Sequence, residues 1–481
     1  LMINFRIIAR VFSLLLIVEG LFMLISAGIS FLYGEHAASS FLYSALITIV
    51  TGIFVFTPLR NEERVSGNKE GYIIVTGIWI LFSLFGTLPF LFSDSIKSFG
   101  DAFFESMSGF TTTGATIFTN VESLPHGILF WRSLTQWLGG LGIIFISLSI
   151  FPVVRSINIQ IAATEFSGHQ IEKIHPRIKD AARRLLLIYF GITLTEALLL
   201  IAGGMPAFDA VCHSFSTLST GGFSTKNNGM AAFNSPYIMT VITVFMFLAG
   251  TNLALVYFAL KGNFRKATGN NEFVFYTGIC IFFIVISTAV LLFRGDIPAG
   301  KAIADGAFHV VSIITTTGFY TQDYSLWGYS MTLVIFILMF TGGTAGSTSG
   351  GIKTIRLLLV TKNSRQELKK LIHPSAFLPV RLDRHILSKN TIYNVLVFLT
   401  LYFFVICVST FVISAMGYEI ITFFSTSASM LANVGPSIGT FGPFSNYSSL
   451  PMFGKWFLSA LMLLGRLELL TVMMLFTRSF Y

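Results

Sequence analysis

Ten runs of apolar residues, near 11–33, 41–58, 71–93, 130–151, 185–204, 236–260, 273–293, 329–342, 391–416 and 454–477, read as candidate membrane spans. A hydrocarbon core of ~30 Å calls for about 20 helical residues. With 54% hydrophobic and only 11% charged residues over 481 positions, the chain is excluded from the ordinary soluble multidomain class. The first run is about twice the length of a secretory h-region and leads straight into a second, so it reads as a retained span. Cys212, Cys280 and Cys407 are far apart in apolar segments, which leaves no disulfide framework or metal-binding cysteine pair and predicts small buried side chains.

The net charge of +9 reflects topology. Lys and Arg crowd into 59–70, 152–184, 261–271, 353–390 and the two termini. The intervening segments hold only Lys97, Arg132, Lys226, Arg294, Lys301 and Lys455, and Arg466 lies inside a span. The positive-inside rule then makes the dense loops and both termini cytoplasmic in a multi-pass chain surrounded by lipid. No aromatic-basic stripe accompanies the charge, so nucleic acid is not expected as a partner.

On the sparse side, similar punctuation recurs four times: SGFTTTGAT at 108–116, TLSTGGFST at 217–225, IITTTGFYT at 313–321 and LANVGPSIG at 431–439. Taking Gly114, Gly222, Gly318 and Gly435 as reference, the copies are 108, 96 and 117 residues apart, a subdomain-sized repeat. Each glycine follows a short amphiphilic stretch headed by an acid: Asp101, Asp209, Asp305 and, in the divergent fourth, Glu419. These stretches predict short helices whose acids cap the N-terminal ends. About eleven residues rise ~17 Å, so each helix stops mid-membrane with its C-terminal end facing inward. The expected fold is an all-α polytopic membrane protein with four pseudosymmetric helix/pore-loop/helix repeats around a central pore. Two additional N-terminal helices precede them. The divisions are 1–70 for the N-terminal hairpin and its loop, then 71–183, 184–271, 272–389 and 390–481 for the repeats.

Irregular backbone at that depth has to line a watery cavity enclosed by protein. Four helix C-termini, each with roughly half a negative charge, favour a cation there. Rings of backbone carbonyls can replace its hydration shell. Glycine allows the required backbone angles, and Thr112, Thr113, Thr220, Thr316 and Thr317 add hydroxyls. The fourth copy supplies Asn433, Val434 and Gly435 before Pro436. A neutral filter argues against divalent cations. An ungapped helix makes Gly222 the second filter glycine, whereas matching Thr-Gly alone selects Gly221, and both stay open here.

Two features lie behind the filter. The run TGGTAGSTSGGIK at 341–353 breaks the eighth span with Gly342, Gly343, Thr344, Ala345, Gly346, Ser347, Thr348, Ser349, Gly350 and Gly351. It reads as a gating loop or as a passive kink for close helix packing. It departs from a phosphate-binding loop in the Ile352 before Lys353, so no nucleotide is expected on this chain. Arg466 reads either as a positive charge acting on the pore or as one half of an ion pair with Glu468 or another acid. His169 and His175 fall in a basic loop, and His213 and His309 take equivalent places nine residues before their glycines, as packing or helix-end residues.

At SGFTTTGAT, STLSTGGFS, TTTGF, ANVGP, TGGTAGSTSGG and GRLE, and in its two extra N-terminal spans, the chain resembles the TrkH/KtrB/HKT superfamily of potassium transporters, most of all the TrkH branch. The likeness runs over essentially the whole length. It implies a homodimer with one pore per chain in a bacterial inner membrane, and no catalysis. It implies potassium as the transported ion, held by carbonyls around Thr112, Thr113, Thr220, Gly221, Thr316, Thr317, Asn433 and Val434. It also implies a gating loop and a cytosolic nucleotide-binding ring of the TrkA type on the basic faces 152–184 and 353–390. In plant relatives a serine at the first filter position accompanies sodium transport, and here that position is Gly114. The competing classes are a secondary transporter of a small solute, for which two inverted repeats are usual, and a sodium-coupled cation symporter.

Overall fold

The computed structural model describes residues 3–60, 68–154, 178–294, 298–376, 378–383 and 385–477. Most of the basic segment 152–184, with His169 and His175, and part of 59–70 lie outside the described residues.

An N-terminal hairpin of Phe5–Leu32 and Ala37–Phe56 precedes four passages of the same order: long helix, short helix, loop, second helix. The long helices are Asn68–Phe85 continued by Leu88–Phe92, Ile178–Ala202, Asn271–Arg294 and Lys389–Ser414. The short ones are Phe99–Phe110, Ala207–Leu218, Ala299–Ile314 and Ile420–Ala432. At 1.5 Å per residue none of the four reaches across ~30 Å.

The second helices differ among themselves. His126–Val154 is continuous, whereas Pro236–Ala249 and Leu253–Leu260 meet at 113°. Tyr329–Leu338 stops after ten residues, and the chain runs through the glycine-rich loop before Thr354–Ile372 begins. Met452–Arg466 ends where Glu468 and Leu469 take φ of 53° and 20°, and Leu470–Met474 follows. Among the described residues, six helices are individually long and apolar enough to cross a membrane, and the bent pair makes a seventh. The eighth and tenth apolar runs are thus interrupted helices, which hydropathy does not distinguish from continuous ones.

Two expectations change, on Cys407 and on the helix-capping acids, while among the described residues the fold is all-helical apart from one short hairpin, in which Arg381–Leu382 pairs antiparallel with His385–Ile386. The Asp383 carboxylate in that turn accepts from Asn271 N at 2.9 Å and Asn270 Nδ2 at 3.2 Å, which serves the free N–H end of the third long helix. Cys212 and Cys280 are buried, but Cys407 is exposed on an outer helix face. None of the acids makes a side-chain cap bond: Asp101 and Asp209 lie in the first turn, Asp305 lies in the second, and Glu419 holds the N-cap position without bonding the helix end. Asp101 instead pairs with Lys455 at 2.7 Å, Asp209 with Lys226 at 3.2 Å, and Asp305 accepts from Gln322 Nε2 at 2.9 Å.

Small residues set the packing of the hairpin. A β-carbon on Gly52 would come within 2.7 Å of Ile17 Cγ1 and 2.8 Å of Ser13 O, so the two helices touch through backbone. Gly52→Val forces them apart, and overpacking of this kind costs about 1–3 kcal/mol. The expected result is a lower melting temperature of the purified protein in detergent with unchanged ion preference, measured by a thermal-shift assay beside flux.

Candidate functional site

The short helices end alike. Thr112, Thr220, Thr316 and Asn433 take left-handed φ of 52°, 55°, 58° and 58°. Asparagine tolerates this region, but for a β-branched threonine it is an outlier worth about 1–3 kcal/mol of strain. Two bonds hold each turn: Thr112, Thr220, Thr316 and Asn433 donate N–H to Gly109, Thr217, Ile313 and Met430 carbonyls at 2.9, 2.9, 3.0 and 3.3 Å, and Thr113, Gly221, Thr317 and Val434 donate N–H to Ser108, Ser216, Ser312 and Ser429 carbonyls at 2.9, 2.8, 2.9 and 2.9 Å. This is a Schellman-type ending with the wrapping residue drawn from threonine where glycine is usual. A serine stands six residues before each glycine, an aligned position that the sequence reading above does not include.

The next left-handed residues are Gly114, Gly222, Gly318 and Gly435, with φ of 82°, 80°, 76° and 95°. A β-carbon on Gly114 would overlap Gly221 O, one on Gly222 would overlap Thr317 O, one on Gly318 Val434 O, and one on Gly435 Thr113 O. The contacts close a circuit through all four segments, and Gly222 is the counterpart of the other three glycines. Gly221 stands where Thr113, Thr317 and Val434 stand.

A second circuit lies on the far side of the glycines from the short helices. Val121 N donates to Asn227 Oδ1 at 2.7 Å, Met230 N to Tyr320 O at 3.1 Å, Tyr324 Oη to Ser437 O at 2.9 Å and Tyr447 N to Thr116 O at 2.8 Å. All four glycines line one cleft of about 180 Å³, with Arg132 and Lys226 in its wall.

Behind the ring, the sequence signal was a single acid and a single base in apolar stretches. Arg132 Nε meets Glu105 Oε1 at 2.8 Å, both fully buried, and the guanidinium lies 4.1 Å from the Phe223 ring centroid. Glu105 also accepts from Thr116 Oγ1 at 3.0 Å and Ile117 N at 2.9 Å, so this pair pins the strand that leaves Gly114. Gln136 Nε2 donates to Gly221 O at 2.7 Å, and its Oε1 accepts from Phe223 N at 3.1 Å. The two histidines do the same work: His213 Nδ1 bonds Asp209 O at 2.7 Å and Nε2 bonds Ser224 Oγ at 3.0 Å, while His309 Nδ1 bonds Asp305 O at 2.9 Å.

The loop 341–353 sits against the carbonyl ends of the short helices. Gly350 N donates to Thr316 Oγ1 at 2.7 Å, Thr348 Oγ1 to Leu218 O at 3.0 Å, and a β-carbon on Gly350 would overlap Ala432 O. Arg466 Nη1 donates to Thr348 O at 2.8 Å and Nη2 to Gly139 O at 3.1 Å. Glu468 is paired elsewhere, with Arg356 at 2.6 Å, so a pair between Arg466 and Glu468 is overturned. The Arg466 guanidinium therefore bonds a loop carbonyl directly. Asn433 Nδ2 bridges Thr113 Oγ1 and Met462 O, both at 2.9 Å, joining the fourth segment to the first.

Residues 39–480 match the family model described as TrkH, cation transport protein. The Trk system potassium uptake protein TrkH of Salmonella typhimurium is 37% identical over 482 residues, 99% of each chain. The Trk system potassium uptake protein TrkG of Escherichia coli strain K12 is 30% identical, over 99% of this chain and 98% of that one. The crystal structure of the potassium transporter TrkH from Vibrio parahaemolyticus superposes with a TM-score of 0.90 at 33% identity, covering 100% of both chains. The chain is a multi-span helical membrane protein that belongs to the TrkH family of cation transport proteins.

Proposed function

We propose that the chain takes up potassium through a backbone-carbonyl filter formed by Thr112, Thr113, Gly114, Thr220, Gly221, Gly222, Thr316, Thr317, Gly318, Asn433, Val434 and Gly435. The observation that carries this reading is the closed circuit of glycine and carbonyl contacts between the four segments. Such a circuit supports four pseudosymmetric repeats about one axis. The helix dipoles point their negative ends at it. A neutral ring suits a monovalent ion, since the buried Glu105 is occupied by Arg132. The names of the relatives, Trk system potassium uptake proteins, agree with potassium as cargo.

The loop from Gly342 to Gly351, including Gly343, Thr344, Ala345, Gly346, Ser347, Thr348, Ser349 and Gly350, is the gate in this reading, and Arg466 latches it. The position of the loop across three short-helix ends supports this role. The same reading places the protein in the bacterial inner membrane with both termini cytoplasmic. It makes a homodimer with one pore per chain, and a TrkA-like nucleotide-binding ring docks on the basic cytoplasmic segments. Helix Thr354–Ile372, with Lys362, Arg365, Lys369 and Lys370, supports the last point by offering a basic face continuous with the gate loop.

Purified chain in liposomes is expected to take up rubidium down an outward potassium gradient without added protons or sodium, and uptake that requires either would favour a coupled symporter. Gly114→Ser puts a β-carbon on Gly221 O at a left-handed φ and is expected to lower potassium-over-sodium preference about tenfold, near 1.4 kcal/mol. Unchanged preference in bi-ionic flux would remove Gly114 from the filter. Deletion of 343–350 and Arg466→Met are each expected to raise basal rubidium flux; equal or lower flux in folded protein would leave the loop a passive kink.

A further inference from the structure

The bend in the second repeat and the loop of the third satisfy each other's backbone. In an unbroken helix from Pro236 to Leu260, Leu253 N would donate to Ala249 O and Ala254 N to Gly250 O, the i to i−4 pattern. At the bend neither bond forms. Gly250 O accepts Thr344 N at 2.9 Å, and Ala249 O accepts Thr348 Oγ1 at 3.2 Å and Thr348 N at 3.4 Å. Leu253 N is directed at Gly346 O at 3.5 Å, and Ala254 N donates to Asn252 Oδ1 at 2.8 Å.

The middle of the loop is gripped at both polar groups of Ala345. Its carbonyl accepts Asn252 Nδ2 at 2.7 Å, and its N–H donates to Glu272 Oε1 at 2.6 Å. Asn252, Glu272 and Ala345 are all buried, so these bonds have no competition from bulk water.

We infer that loop and bend form one hydrogen-bond exchange switch: when the loop leaves, the groups it abandons at 249, 250 and 253 pair with one another and with Ala254 N, released from its Asn252 cap, and the bent helix straightens. Asn252 and Glu272 are the positioning residues that hold the bent, loop-bound state. Two arrangements with the backbone fully paired make a bistable element, whereas an intermediate would leave buried polar groups unpaired at about 1–3 kcal/mol each. Straightening swings Leu253–Leu260 and the basic elbow with Lys261, Arg265 and Lys266. By reciprocity, whatever binds the straight form at that elbow favours the released loop.

This inference rests on the loop being the gate, and the test separates the two. Asn252→Asp keeps the oxygen that caps Ala254 but removes the donor to Ala345 O, whereas Asn252→Ala removes both. In proteoliposomes Asn252→Asp is expected to raise basal rubidium flux about fivefold, the worth of one hydrogen bond near 1 kcal/mol. Glu272→Gln, which keeps an acceptor, is expected to stay near wild type, and Glu272→Ala to rise. Spin labels at Leu260→Cys and Phe54→Cys, in a background without Cys212, Cys280 and Cys407, are expected to give one distance in the parent and a second population in Asn252→Asp and in the 343–350 deletion. Raised flux with a single unchanged distance would overturn the switch while leaving the gate intact. A flux rise in Asn252→Ala but not in Asn252→Asp would reduce Asn252 to a helix cap and overturn its positioning role. If the deletion itself leaves flux unchanged, the gate reading falls and the switch falls with it.

Discussion

An unpaired backbone N–H or carbonyl in the hydrocarbon region costs several kcal/mol, and this chain interrupts its helices there repeatedly. The interruptions around the four glycines and the glycine-rich loop answer one another. The short helices end on serine carbonyls that accept the N–H of the residue after the left-handed one, and the four glycine segments lean on one another. The broken helix of the second repeat leans on the loop of the third. The irregular parts form one interdependent body because none can be satisfied alone.

That interdependence explains how threonine persists at left-handed angles in three segments. Strain of this kind survives only where surroundings over-determine the backbone. Around Thr112 the determinants are the Thr113 bond to Ser108, the Glu105–Arg132 pair on the departing strand and the Asn433 amide on Thr113. Around Thr220 they are the Gly221 bond to Ser216 and the two bonds of Gln136. The side chains that do this are polar, buried and contributed by neighbouring elements. Their effect is to fix carbonyl direction and leave the ring itself uncharged.

The arrangement of helices and the matching of the four glycines were legible in the sequence, because both rest on spacing and hydropathy. The register of Gly222 was legible only as a choice, which its φ of 80° decides. Hydropathy could not see the bend inside 236–260, since Gly250, Thr251 and Asn252 lower an average that the flanking leucines and phenylalanines restore. The acids misled for another reason: the helices starting at Phe99, Ala207 and Ala299 follow Ser98, Pro206 and Pro298, and their acids lie inside the helix and pair with other elements. Arg466 and Glu468 sit two residues apart in sequence yet serve different partners, because the helix breaks between them and Leu470. Pairings such as Arg132 with Glu105 depend on which elements meet, and only the aligned serines were open to simple inspection.

The fourth segment carries Asn433 where the others carry threonine, Val434 where they carry Thr113, Gly221 and Thr317, and Pro436 where they carry Ala115, Phe223 and Phe319, and its amide reaches across to Thr113. A ring assembled from four identical subunits changes all quadrants with every codon altered. Here one codon alters one quadrant of the contact circuit and leaves the residues of the other three unchanged. Such a ring can be retuned in steps of a quarter, with an unequal member kept as a permanent asymmetric wedge between its neighbours.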